Sequence, residues 1–171
     1  MKKTVLLLLL SLCTLTLSAQ ESRMFRKGYR ANIEIGNYTI IGKDKYGGLA
    51  QITTSQGYSF GNGAYIGLGL GAGFDLGGSV YIPLFMDAKY NFIDNKVSPF
   101  ASVRAGIRFS PEVDSYLSYG FAIGGGVDFG RYSVKLGYEY NAAKASIYSH
   151  GRYEEIYSKP SLLFCSFAFN F

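Results

Sequence analysis

Residues 162–171, LLFCSFAFNF, end the chain and alternate between two sets of side chains. Side chains on a β-strand change face at every residue, so these two sets lie on opposite faces. Ten residues are about what a tilted strand needs to cross a bilayer. In water such a strand would be an open aromatic edge, whereas closure of a barrel in lipid removes the edge. The stretch predicts a membrane-spanning strand with Leu163, Cys165, Phe167, Phe169 and Phe171 on its lipid-facing side.

The same period of two recurs along the chain, and no segment after residue 19 has a convincing helical period. With the terminal strand, eight strands are predicted, at residues 29–36, 49–60, 64–74, 79–92, 97–109, 116–129, 132–141 and 162–171. The connections after strands two, four and six are short, and those after strands one, five and seven are longer; the short connection after strand three is the exception. Outer-membrane barrels have short periplasmic turns and longer outer loops, so the C-terminus is predicted to be periplasmic.

Residues 1–19 have the pattern of a secretory signal peptide. Lys2 and Lys3 precede an apolar run at 4–17, and Ala19 supplies the small residue before the cut. The run is too short for a transmembrane helix, which needs about 20 residues. We therefore predict cleavage after Ala19 or Gln20 and one barrel domain over residues 20–171.

Composition excludes several classes of function. Two of the 17 Lys and Arg residues belong to the predicted signal peptide, so the rest of the chain has 15 basic and 12 acidic residues and a net charge of +3. The basic residues form no stripe of the kind that binds nucleic acid. Cys165 is the one cysteine left, which rules out an internal disulfide. One histidine and one cysteine cannot build a zinc site of the usual kind, so no metal or cofactor is predicted.

The second faces of the strands combine glycine with charge. A membrane barrel turns its apolar face to lipid and its polar face to the lumen, where glycine leaves room for long side chains. Charges withdrawn from water need partners, so we predict a lumen ion-pair network of five basic and four acidic groups. Its members are Arg30, Glu34, Asp87, Lys89, Arg104, Arg108, Asp128, Lys135 and Glu139. Asp128 and Lys135 flank a tight turn and would be diagonal neighbours across it. The alternative is a soluble secreted barrel of lipocalin type with these charges in water.

Several segments resemble small outer-membrane β-barrel proteins of the porin-like superfamily: KGYR at 27–30, TSQGY at 54–58, IPLFMD at 82–87, KVSPF at 96–100 and the terminal strand. The resemblance implies an all-β, transmembrane, antiparallel up-and-down barrel of eight strands, like the outer-membrane protein A transmembrane domain. It implies a location in the outer membrane of a Gram-negative bacterium, among lipids and lipopolysaccharide. It also implies that Leu163, Phe167, Phe169 and Phe171 form a C-terminal signal for the barrel assembly machinery. The family has no shared catalytic residues.

Two other activities are disfavoured by the residues themselves. A lipid A-modifying enzyme needs a nucleophile and a base within hydrogen-bond reach, but Ser149 and His150 are adjacent on an extended segment and point apart. The His-x-Ser order of lipid A deacylases is also missing. An eight-stranded barrel has a lumen that side chains just fill, so no large pore is predicted. A narrow porin remains an alternative.

Two functions remain open. The first is a structural role in the envelope, with loops displayed at the surface. The second is binding or adhesion through the long outer loop at 142–160, which offers Tyr148, His150, Arg152, Tyr153 and Tyr157. Tyr and Arg are favoured at recognition hot spots, and basic loop residues such as Lys43 and Lys45 could contact lipopolysaccharide phosphates. Alternatively, these loops are polar only for solvation.

Overall fold

The computed structural model describes residues 24–41, 47–75, 77–111, 116–149 and 152–171, and for residues 145–149 and 152–156 it describes the backbone alone. The predicted signal peptide and the first outer loop, with Lys43 and Lys45, lie outside the described residues. No helix in the described part of the chain is long and apolar enough to cross a membrane.

The described residues form nine antiparallel strands: β1 Lys27–Ile41, β2 Gly48–Phe60, β3 Ala64–Asp75, β4 Val80–Asn91, β5 Val97–Phe109, β6 Leu117–Phe129, β7 Tyr132–Ser149, β8 Arg152–Ser158 and β9 Ser161–Asn170. Each of β1 to β7 pairs with the next, and β9 pairs with both β7 and β1. Phe169, for example, lies opposite Tyr132 on one side and Ile33 on the other. The predicted barrel of eight strands is confirmed, with β9 as its eighth strand.

The connection predicted at 142–160 is a β-hairpin, so the prediction of a loop there was wrong. β7 continues to Ser149 and pairs with β8, from Ala143 opposite Ser158 to Ser149 opposite Arg152. The physical reason is that Ile and Tyr residues in both arms favour extended structure. After Tyr140 the strand β7 has no further β9 residue to pair with, so its backbone groups from Ala143 to Ser149 pair with those of β8 instead. Strand one is likewise longer than predicted, because residues 37–41 pair with β9.

The barrel is apolar outside and polar inside. Along its strands exposed apolar side chains alternate with buried polar ones: Leu68 and Leu136 are 63% and 62% exposed, whereas Ser98 and Asp128 are at most 1% exposed. A soluble barrel of lipocalin type would have the opposite arrangement, with its apolar face inside. The exterior therefore has the composition that hydrocarbon requires.

Aromatic side chains mark the two ends of this exterior. At the end with the short turns, Tyr90 packs against Phe92 at 5.5 Å and Phe169 against Phe171 at 4.9 Å between ring centroids. At the other end Phe74, Phe109, Tyr138 and Tyr140 are exposed on the outer face. Aromatic rings favour the membrane–water interface, so these two rows mark the boundaries of the membrane-spanning part of the barrel.

The short turns depend on glycine. Gly61 and Gly63, between β2 and β3, have φ of 81° and 89°, and Gly130, between β6 and β7, has φ of 63°. Residues with a Cβ rarely adopt these values, so glycine lets the chain reverse within two or three residues. Both turns lie at the end of the barrel that holds Phe171.

Candidate functional site

The lumen holds all nine charged side chains of the predicted network. Each occupies an inward position of its strand, because the charges alternate with the exposed apolar residues. Eight of the nine form ion pairs, and they lie at three levels along the barrel axis.

At the middle level, one carboxylate joins three strands. Glu34 Oε2 on β1 accepts hydrogen bonds from Arg104 Nη2 on β5 at 3.0 Å and from Lys135 Nζ on β7 at 2.8 Å. Arg104 Nη2 also lies 3.7 Å from Asp87 Oδ2 on β4. Glu34 and Asp87 are 5% and 6% exposed. Buried charges of this kind are stable only when paired, and here each has a partner across or along the wall.

At the periplasmic level, Asp128 is the central acceptor. Lys89 Nζ lies 2.7 Å from each of its carboxylate oxygens. Asn91 Nδ2 donates to Oδ2 at 2.6 Å, and Ser133 Oγ donates to Oδ1 at 2.5 Å. Asp128 therefore pairs across the sheet with Lys89, while its diagonal neighbour across the turn, Lys135, pairs with Glu34 instead.

The outer level and the remaining cation complete the set. Arg108 Nη2 pairs with Glu139 Oε1, and Asn141 Nδ2 donates to the same carboxylate oxygen at 2.8 Å. Arg30, near the periplasmic end, donates from Nη2 to the Met24 carbonyl at 3.0 Å.

Aromatic rings share the lumen with the cations, a feature that the sequence analysis missed. The guanidinium of Arg104 lies 4.0 Å from the Phe85 ring centroid, and Lys89 Nζ lies 4.1 Å from that of Phe100. Cations bind to the faces of aromatic rings when both are withdrawn from water. The alternation of side chains along β4 and β5 would have placed both rings inside. Phe85 lies two residues from Asp87, and Phe100 lies four residues from Arg104.

Glycine makes the room that these side chains need. A Cβ at Gly69 would overlap the ring of Phe85, which lies opposite it on β4. Near the outer end, Tyr38 stacks on Phe164 at 5.2 Å, within an apolar cluster completed by Leu49, Ala122 and Leu162. The predicted role of glycine, which is to leave room for long side chains in the lumen, is thus seen where the ring of Phe85 lies against Gly69.

What empty space remains in the lumen is small. Voids of about 30, 20 and 10 Å³ lie among the charged residues. The 20 Å³ void is bounded by Asn32, Glu34 and Ser166, each of which has a buried oxygen without a protein partner. A polar void of this size can hold one water molecule.

Above the apolar cluster, the lumen opens into a wider chamber of about 110 Å³, which we call the outer cup. Tyr81 and Tyr116 form part of its wall, with ring centroids 5.5 Å apart. Tyr81 Oη donates to Asp75 Oδ2 at 2.8 Å, and the Ser79 amide donates to Asp75 Oδ1 at 2.8 Å. Burial raises the pKa of the Tyr116 hydroxyl above its usual value, so this ring stays neutral at physiological pH.

The predicted recognition residues are only partly placed. Tyr157 on β8 is 68% exposed, with Lys144 Nζ 5.7 Å from its ring centroid. Tyr148, Arg152 and Tyr153 lie on the hairpin arms, where the structure describes the backbone alone, and His150 lies outside the described residues. Within the described residues, no three His, Cys, Asp or Glu side chains converge as metal ligands.

The predicted C-terminal signal residues lie on the outside of β9. Leu163, Phe167 and Phe171 are 49–55% exposed, and Phe169 packs between Phe171 and Tyr132. Cys165, on the same face, is exposed and forms no disulfide. These residues are available to lipid or to an assembly factor.

Fold and surface together define the class: a small transmembrane β-barrel of outer-membrane type. Among solved structures, the chain is similar to Neisserial surface protein A, with 14% identity and a TM-score of 0.58 over 84% of this chain and 97% of that one. It is similar to the N-terminal β-barrel domain of Pseudomonas aeruginosa OprF, with 14% identity and a TM-score of 0.51 over 85% and 100%. It is also similar to outer membrane protein AlkL, with 10% identity and a TM-score of 0.50 over 90% and 93%. No family model and no curated protein matches the chain. These similarities are similarities of fold.

Proposed function

We propose that the protein is a structural component of the Gram-negative outer membrane whose lumen is closed to solutes and whose outer loops are displayed at the cell surface. The observation that carries the proposal is the three-strand contact at Glu34. Arg104 and Lys135 reach this carboxylate from two different strands, so their side chains lie across the middle of the lumen.

The closure is continuous along the axis. Lys89 pairs with Asp128 at the periplasmic level, and Arg108 pairs with Glu139 at the outer level, and each pair joins strands two places apart in the wall. Between them the voids do not exceed about 30 Å³, which is room for a water or two but not for a hydrated solute. A barrel of this kind adds a rigid, lipid-embedded body to the membrane rather than a pathway through it.

The proposed partners follow from the surfaces. The apolar belt would contact outer-membrane lipids, and the C-terminal aromatic face would be read by the barrel assembly machinery during insertion. Lys144 and Lys159 are exposed at the outer end, where their ammonium groups could bind lipopolysaccharide phosphates. No catalytic role is proposed, because the sequence disfavours Ser149 and His150 as a nucleophile and its base.

Two measurements on the purified mature chain test this proposal. A heat-dependent gel shift together with recovery in the outer-membrane fraction would support an inserted barrel, and a freely soluble periplasmic protein would refute it. In planar bilayers, the closed lumen predicts no stable, large conductance. A reproducible large aqueous pore would overturn the closed-lumen proposal, even if insertion were normal.

A second candidate is adhesion through the β7–β8 hairpin. The specific observation is that the hairpin continues beyond the start of β9 and carries Tyr157 in a largely exposed position. Replacing residues 143–159 by a short turn would leave the barrel ladder of β7 and β9 intact. Reduced adhesion or altered antimicrobial-peptide sensitivity, with an unchanged gel shift, would support this candidate. If neither property changes, the hairpin has no such role.

A further inference from the structure

We infer that the outer cup is a binding site for a small, uncharged molecule with an aromatic or compact aliphatic body and one hydrogen-bonding group. The cup is about 110 Å³ and receives a lining residue from every one of the eight barrel strands. In strand order these are Ile40, Leu49, Asp75, Tyr81, Arg108, Ser118, Asn141 and Leu162.

The size of the cup separates it from the rest of the lumen. The voids among the ion pairs hold water at most, whereas apolar cavities of about 150 Å³ are large enough to bind benzene. A chamber of about 110 Å³ fits a single ring or a short branched chain. Leu49 and Leu162 of its lining belong to the apolar cluster that contains the stacked rings of Tyr38 and Phe164, so a ligand would stop at this cluster rather than pass through the barrel.

The two sides of the cup differ in chemistry. Ile40, Leu49 and Leu162 come from β1, β2 and β9, which are neighbours in the barrel, and they form an aliphatic side. The rings of Tyr81 and Tyr116 come from β4 and the connection before β6, on the opposite side, with an angle of 54° between them. A flat or compact apolar body would contact aliphatic groups on one side and ring surfaces on the other.

The polar groups of the cup favour an uncharged ligand. The guanidinium of Arg108 is already paired with Glu139, and Asp75 already accepts hydrogen bonds from Tyr81 and Ser79. A charged ligand would lose its hydration without gaining an unpaired counter-charge, which is costly. A single hydroxyl or amide needs only one partner. Asn141 Nδ2, in the lining of the cup, uses one of its two hydrogens on Glu139 Oε1, so the other can be donated to a ligand.

The test uses the full mature chain in lipid nanodiscs and ligand-observed NMR, with phenol as the uncharged probe and benzoate and benzylammonium as charged probes of similar size. The occluding variant is Ile40→Trp, which places an indole in the cup. The wall variant is Tyr116→Ala, in a connection outside the barrel ladder. Tyr119→Ala removes an exposed tyrosine on the outer face of β6, outside the cup, and serves as the matched control. The heat-dependent gel shift verifies that each variant is folded.

We expect saturable binding of phenol that is lost in Ile40→Trp and kept in Tyr119→Ala. In Tyr116→Ala the affinity should fall about five-fold, the scale of one aromatic contact. Both charged probes should bind at least about ten-fold more weakly than phenol, since neither finds an unpaired counter-charge. Phenol binding that survives in both cup variants, or is absent from the wild-type chain, overturns the site. Equal binding of a charged probe overturns the ligand class. Either failure leaves the closed-lumen proposal intact, because conductance is measured independently.

Discussion

Lys135 Nζ lies 2.8 Å from Glu34 Oε2, although β7 and β1 share no ladder and are separated in the wall by β9. The contact therefore joins two strands through the lumen rather than along the sheet. Arg104 makes the same connection from β5, so one carboxylate ties three parts of the wall together. Removal of the Glu34 carboxylate would take this partner away from both Arg104 and Lys135.

Glu34→Ala is expected to lower the free energy of unfolding by about 3–5 kcal/mol, the usual cost of leaving a buried charge unpaired. The measurement is the fraction of heat-shifted protein across a urea titration in lipid vesicles. Ile35→Val, on the lipid-facing side of the same strand, is the control and should change the midpoint little. A loss below about 1 kcal/mol for Glu34→Ala would show that water replaces the carboxylate without penalty.

Gly69→Val is expected to destabilise the barrel by about 1–3 kcal/mol, the typical cost of overpacking, because the new side chain overlaps the ring of Phe85. The double variant Gly69→Val/Phe85→Ala should lose less than the sum of the two single changes, since the overlap with the ring is then gone and only the close approach to the Thr54 carbonyl oxygen remains. The same urea titration measures both. An additive effect of the two changes would mean that Gly69 is not required by that ring.

Leu68→Arg places a cation on the lipid-facing side near the middle of β3, where the leucine is 63% exposed. The expected loss is about 2–4 kcal/mol, the cost of arginine at the bilayer midplane. Phe60→Arg, at the periplasmic end of β2, is the comparison and should cost about 0–1 kcal/mol. Equal costs at the two positions would contradict the proposed depth of the barrel in the membrane.

Phe171→Asp is expected to reduce the yield of inserted barrel in the outer membrane, because it puts a charge at the end of the aromatic face of β9 and removes the ring contact with Phe169. Phe171→Tyr keeps the ring and should insert normally. Quantitative blotting of the outer-membrane fraction compares the two. An unchanged yield for Phe171→Asp would show that residue 171 is not part of an assembly signal.

The wall of the barrel was predictable because alternation is a local property. The terminal stretch and β5 carry a clear period of two, and their predicted and observed bounds agree within a residue. Tyr38 was missed because its stretch is polar and follows Gly36, although both residues pair with β9. The β7–β8 hairpin was missed for a similar reason: small and charged residues mask the Ile and Tyr positions that sustain it.

The contents of the lumen were predictable as a set but not as pairs. The alternation of side chains along each strand is enough to place the nine charges inside. Which cation meets which carboxylate depends on the barrel diameter and on the stagger of the strands, and neither is a local property. Asp128 illustrates the limit, because its diagonal neighbour across the turn is Lys135 but its partner is Lys89, on a strand two places away.

The ladder between β1 and β9 joins Asn32 to Asn170 and Ile41 to Ser161. Its two sides are separated by almost the whole mature sequence, and contacts of such long range form slowly. Until residue 161 has been synthesised and exported, the sheet has two unpaired edges, which are sites for pairing with another chain. Closure therefore waits for the last strand of the barrel, and a chain truncated before β9 would be an aggregation hazard rather than a smaller barrel.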